Sequence, residues 1–116
     1  MRLERELMRG AGPTAVLRLL ADRTMYGYEL AEALGRIGDG VLAMGQSTLY
    51  PMLYNLEGKG HVRAEWRTAD TGRRRKYYAL TEDGIAHLAE HRRQWQQLFG
   101  ALADLGLVAP TAEVVE

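Results

Sequence analysis

The chain has 116 residues, 47% of them apolar, which is enough for one hydrophobic core and too little for two independent domains of ordinary size. It has no cysteine, which excludes a disulfide framework and a thiolate zinc site. No window approaches the roughly 18 to 20 uninterrupted apolar residues of a membrane span, so a soluble, cytoplasmic protein with no membrane partner is expected. The formal net charge of zero hides an uneven distribution: from Lys59 to Lys76, seven basic residues face two acids, so the rest of the chain carries five balancing negative charges. Distribution, more than the sum, marks a binder of polyanions.

The first ten residues carry charges at Arg2, Glu4, Arg5, Glu6 and Arg9 and lack the apolar run of a signal peptide. Leu3, Leu7 and Met8 repeat with the spacing of a short amphipathic segment. From 14 to 21 the apolar residues Ala15, Val16, Leu17, Leu19 and Leu20 are dense enough to predict a buried helix, with Pro13 in its first turn. The two segments form one helix or break near Gly10 to Gly12. A second helix over 27–37 shows Leu30, Ala31, Leu34 and Ile37 on one face and ends at glycines 35, 38 and 40. The third is expected to begin near Ser47 or Thr48, with their hydroxyls as caps and Pro51 within or just beyond its first turn. It turns Leu49, Met52, Leu53 and Leu56 inward and Gln46, Thr48, Tyr50, Tyr54 and Asn55 outward, and Gly58 and Gly60 stop it.

From 62 to 68 the residues alternate, with Val62, Ala64 and Trp66 on one face and Arg63, Glu65 and Arg67 on the other, which predicts a strand. A return strand over 76–80 and turn residues at 69–72 complete a hairpin whose tip carries Arg73, Arg74, Arg75 and Lys76. Thr81 then caps a final helix that has Glu82 and Asp83 at its positive end and runs to about Leu105, roughly 37 Å at 1.5 Å per residue. Its apolar stripe of Ile85, Leu88, Trp95, Leu98, Phe99, Leu102 and Leu105 follows steps near 3.5, interrupted at Arg92. Beyond 107 a short tail is expected.

This order predicts a mainly α fold with a small β-hairpin: a winged helix-turn-helix over 1–80, a C-terminal dimerisation helix over 81–106 and a tail over 107–116. The N-terminal residues of a recognition helix reach base edges first. Gln46, Ser47, Thr48 and Tyr50 therefore lead the expected DNA-binding set, with Tyr54 and Asn55 a turn further on. Gln pairs bidentately with adenine, and hydroxyls serve bases or phosphates. Lys59, Arg73, Arg74, Arg75, Lys76 and Tyr77 complete the set. In the plainer reading, Ser47 and Thr48 only cap, Tyr50 only packs, and the cations form a solvated turn.

Three blocks, MYGYEL at 25–30, STLYPMLYNLE at 47–57 followed by Gly60, and RRKYYALTEDG at 74–84, resemble the signature blocks of the PadR family of transcriptional regulators. The resemblance covers roughly residues 10 to 100 and implies a repressor-type, dimeric winged-helix protein of the short subfamily with a single C-terminal helix. Tyr26 departs from the histidine often found there. The expected dimer interface is Ile85, Leu88, Arg92, Trp95, Phe99, Leu102 and Leu105. The resemblance further implies a flat aromatic effector near that interface, with Trp95 as its wall and Leu98, Phe99, Met8 and Met44 as neighbours; the plainer role of Trp95 is interface core.

Two rival readings follow from other features. His87, Glu90 and His91 match the H-x-x-E-H pattern of a zinc peptidase, but a third ligand would have to come from Asp104, Glu113 or Glu116. The histidines lie off the apolar stripe, where a solvated helix face is expected, so no enzyme, metal or cofactor is anticipated. The other rival is a winged helix that serves as a protein-interaction module without specific DNA binding.

Overall fold

The computed structural model describes residues 3–110. The chain begins with helix α1 (Arg5–Leu20), the two-residue strand β1 (Met25–Tyr26) and helix α2 (Gly27–Arg36), followed by a short 3-10 turn, Ile37–Gly40. Helix α3 (Gln46–Gly58), strands β2 (Val62–Thr68) and β3 (Arg74–Leu80) and the long helix α4 (Glu82–Asp104) complete it. This is a winged helix-turn-helix with an added C-terminal helix. Among the described residues no helix is long and apolar enough to cross a membrane.

One core lies where the three N-terminal helices meet the sheet. Val16, Leu17 and Leu20 of α1 pack with Leu30 and Leu34 of α2 and Leu49, Leu53 and Leu56 of α3, and Met25, Val62 and Tyr78 close the sheet side. These positions repeat at three and four residues along each helix, so each buries one stripe.

α1 is continuous. Pro13 lies well inside it, although a first-turn position was expected. The proline removes the hydrogen bond to the carbonyl of Arg9, an exposed residue, where water can replace it. Packing of Val16, Leu17 and Leu20 holds the following turns in line.

α3 starts earlier than expected. Its N-cap is Gly45, with no side-chain cap, and the backbone N–H groups of Thr48 and Leu49 both donate to the Gly45 carbonyl at 3.1 and 2.9 Å. Ser47 and Thr48 are therefore exposed residues of the first turn rather than its caps. Pro51 falls in the second turn, where its missing N–H leaves the carbonyl of exposed Ser47 without an intrahelical partner.

The wing is larger than a hairpin. β1 pairs antiparallel with β3 (Met25 opposite Tyr78, Tyr26 opposite Tyr77), making a three-stranded sheet in the order β1-β3-β2. Two residues are too few to show a period of two. β3 begins at Arg74, two residues before the expected 76, because Ala69 N–H donates to the Arg73 carbonyl at 2.8 Å and closes the tip early. Gly72 takes the positive φ, 85°, that this tip needs.

Thr81 caps α4 as predicted, its hydroxyl oxygen accepting from Gly84 N–H at 3.0 Å. The same hydroxyl donates to the Gly60 carbonyl at 2.6 Å, tying the helix start to the turn between α3 and β2. Leu88, expected at a dimer interface, is instead 7% exposed and belongs to the chain's own core. Past Leu88 the stripe is uncovered: Trp95, Leu98, Phe99 and Leu105 are exposed and Leu102 is half-buried. The expected tail lies outside the described residues from 111 onward.

Candidate nucleic-acid interface

A groove of about 800 Å³ runs between α3 and the wing. One wall is the outer face of α3, with Gln46, Tyr50 and Tyr54; the other is Trp66 and the cations from Arg73 to Lys76, and Tyr26 and Tyr28 close one end. The first wall exists because inward Leu49, Leu53 and Leu56 leave the opposite side to polar and tyrosyl residues. Gln46, Ser47, Thr48 and Asn55 are all exposed, and Tyr54 is 75% exposed. Tyr50 leans over the start of α2, where a Cβ added to Gly27 would lie 2.8 Å from its ring and hydroxyl. Only glycine lets the tyrosine ring settle there without displacement.

The wing cations differ in what surrounds them. Alternation along β3 puts Arg74, Lys76 and buried Tyr78 on the face toward the core, and Arg75 and Tyr77 on the opposite face. Arg74 lies over the Trp66 ring at 5.3 Å and Arg75 over Tyr26 at 4.6 Å, close enough for cation–π attraction to hold both guanidinium groups in place. Arg73 is exposed at the tip. Among the described residues none of these three arginines has an acidic partner. Lys76 is different: half-buried, it pairs with Glu57 at 3.3 Å. Burial works against its charge, but Tyr78 and Glu57 outweigh burial and hold its pKa above the ordinary lysine value. Burial likewise raises the Tyr78 hydroxyl. Lys76 thus braces the wing against α3.

Five residues of the expected set lie off this groove: Ser47, Thr48 and Asn55 line another, and Lys59 and Tyr77 lie apart from both. Lys59 caps the far end of α3. Tyr77 sits on the outer sheet face, in edge contact with Tyr26 at 5.3 Å and beneath Arg67 at 4.5 Å. Conversely, sequence reasoning left out Trp66, Tyr26, Tyr28 and Arg67. Trp66 shares the strand face of Val62 and Ala64 but extends beyond the core's edge, which leaves it 57% exposed. The length of the alternating run, which outlasts the core residues opposite it, was the available signal.

A second groove, of about 770 Å³, runs beside α4 and is lined by Trp95, Phe99 and Arg92 with Thr14 and Arg18 of α1. Met8 and Met44, expected as neighbours of Trp95, line a different groove with Ser47 and Thr48, so one chain does not bring the expected ligand set together. Met8 belongs to α1 and Met44 to the loop before α3. The histidines also depart from expectation. His87 and His91 are half-buried; the His87 ring stacks on His61 with centroids 4.1 Å apart, and the His91 ring lies 4.0 Å from His87, tilted against it. Among the described residues no group of three or more His, Asp or Glu is arranged to hold a metal ion.

Comparison with known proteins agrees with this geometry. Residues 16–90 match the profile of the transcriptional regulator PadR-like family. The chain is 38% identical over 94 residues to the transcriptional regulator Rv3488 of Mycobacterium tuberculosis, covering 81% of this chain and 84% of that one. Among solved structures, a PadR family transcriptional regulator from Eggerthella lenta superposes with a TM-score of 0.76 at 34% identity over 86% of this chain and 85% of its own. A transcriptional regulator from Clostridium thermocellum superposes with a TM-score of 0.78 at 26% identity, over 85% and 96% respectively. The profile match spans well over half of the chain and the winged fold agrees with it: the chain belongs to the PadR-like family of transcriptional regulators.

Proposed function

We propose that this regulator is a cytoplasmic, ligand-responsive repressor that binds a pseudo-palindromic operator as a homodimer. The observation that carries the reading is the convergence of Gln46, Tyr50 and Tyr54 of α3 with wing arginines that have no acidic partner among the described residues on one groove, the first-turn residues Ser47 and Thr48 being exposed beside it. α3 would enter the major groove, with Gln46, Ser47, Thr48 and Tyr50 nearest the bases and Tyr54 and Asn55 along the groove wall. The uncapped N–H groups at its start add a favourable site for phosphate. Arg73, Arg74 and Arg75 would grip the backbone beside it.

Residues 1–80 act as the reading head and 81–106 as the arm. Beyond Leu88 the exposed stripe of Trp95, Phe99 and Leu105, with half-buried Leu102 and with Arg92 at its rim, is the apolar face a twofold partner would cover. Ile85, also exposed, extends that face toward the head. Such a dimer presents two recognition helices about 34 to 36 Å apart. The effector would be a flat aromatic compound stacked on Trp95 and Phe99, and Arg18 and Arg92 in the same groove suit an acidic substituent. Release follows when the effector favours a dimer whose heads no longer match the operator spacing.

The test is a fluorescence-anisotropy titration with duplex DNA from the protein's own upstream region, at two salt concentrations, with an unrelated duplex as control. Selective, salt-sensitive binding is the expected result. Equal and salt-insensitive binding to both duplexes would move the groove to the protein-interaction reading.

A further inference from the structure

Among the described residues α4 is buried at Gly84 and Leu88, in its first part, and three histidines lie at that anchor. His61 stands at the corner between α3 and β2. Its N–H donates to the Leu56 carbonyl at 3.0 Å, and its own carbonyl accepts from Thr81 N–H at 3.1 Å. That carbonyl is so close to α4 that a Cβ on Gly84 would lie 2.0 Å from it. The His61 ring stacks on His87 at 4.1 Å and an interplanar angle of 22°, and the His91 ring lies 4.0 Å from His87, tilted by 41°. His91 reaches α1, its Nδ1 lying 3.2 Å from the Thr14 hydroxyl. The column therefore links the α3–wing corner, the arm and α1.

The surroundings of His87 suit a neutral ring. His61 Nδ1 is buried without a hydrogen-bond partner among the described residues. Lys59, from the corner, adds positive charge beside His87. Thr14 is the α1 group bonded to the column, and the groove that Thr14 lines also holds Arg18 and Arg92. The nearby carboxylate, Glu90, is exposed and bonded to Arg93 and Gln94. Two imidazolium charges this close repel, and Lys59 adds to that repulsion at His87, while Glu90 offsets part of it at His91.

We propose that the His61–His87–His91 column is a proton-sensitive joint: neutral, it clamps the arm to the head and to α1; protonated, it releases them. Burial, reinforced by His91, His61 and Lys59, lowers the pKa of His87 below the ordinary histidine value. The sign follows from linkage. A group depressed in the closed state takes its proton more readily once the joint opens, so closure is strongest above about pH 6.5 and weakens as pH falls below it. The joint lies between head and arm, so its release alters how the two heads of a dimer are held relative to each other. That consequence rests on the dimeric reading; the joint itself does not.

The test uses the full chain and needs no DNA. Ring titrations by NMR from about pH 8 to 5 would be paired with hydrogen exchange, corrected for intrinsic rate, over residues 82–92. At least one ring should hold its neutral form well below the ordinary value, and protection over 82–92 should fall about tenfold or more on acidification while α2 stays protected. His87→Gln, which keeps polarity without a titrating ring, should flatten that profile. Should this variant fail to fold, His91→Gln at the column's edge serves the same comparison, because it removes one charge and the α1 contact. Three independent titrations at ordinary values, or protection over 82–92 that follows α2 at every pH, would overturn the proposal.

Discussion

Replacing Arg74 by alanine and, separately, Lys76 by alanine distinguishes a phosphate contact from a structural brace two residues away. Each head offers three wing arginines without acidic partners among the described residues, so the proposed dimer would offer six cations to the DNA backbone. At about 0.9 counterions per phosphate contact, the logarithm of affinity should fall with the logarithm of salt with a slope near −5.4, roughly 1,800-fold between about 50 and 200 mM. Arg74→Ala removes two of the six contacts and should flatten the slope to about −3.6, roughly 150-fold over the same range. Lys76 is engaged with Glu57 at 3.3 Å, so Lys76→Ala should leave the slope near the parent value. Its effect should fall on stability, by less than about 1 kcal/mol, since both partners are partly solvated. Gln46→Ala should also keep the slope while changing the penalty for base substitutions in the operator, by about 1 to 3 kcal/mol at the contacted pair. Anisotropy titrations at three salt concentrations read all of this. Equal slope changes for Arg74→Ala and Lys76→Ala would refute the division of labour, and no change in any variant would refute the wing contact altogether.

Further expectations follow from α4. Leu88→Ala should lower unfolding stability by about 2 to 5 kcal/mol in urea, because Leu88 is core. Phe99→Glu, on an exposed position, should instead dissociate the dimer in analytical ultracentrifugation and leave the helical spectrum intact; a dimer that survives would place the interface elsewhere. Gly84→Ala forces a methyl group against the His61 carbonyl and Leu80, and should destabilise by about 1 to 3 kcal/mol or more, measured by thermal or urea unfolding. Trp95 fluorescence should respond to a flat aromatic acid in the wild type and lose that response in Arg92→Ala if Arg92 holds the acidic group.

What could be read from the sequence depended on how far each signal extends along the chain. α3 and α4 were legible because their stripes persist over several turns, and the outward set from Gln46 to Asn55 follows once Leu49, Leu53 and Leu56 are assigned inward. β1 was not, because two residues carry no period and its pairing with Tyr77 and Tyr78 is set from the far end of the wing. The start of α3 was misplaced because Ser and Thr are strong capping signals, yet Gly45 takes that position and leaves both hydroxyls exposed. The histidine column escaped notice because His87 and His91 lie off the stripe of α4 and their third member comes from the α3–β2 corner. Leu88 shows the deeper limit. A stripe identifies the face of a helix that must be covered, but not whether its own chain or another copy covers it. Here the face changes role along its length: near Leu88 it is covered from within, and from Trp95 onward it is exposed among the described residues, except at half-buried Leu102. The histidines sit at that transition, which is why a change of their charge would act on the hinge between reading head and arm while leaving the core of each intact.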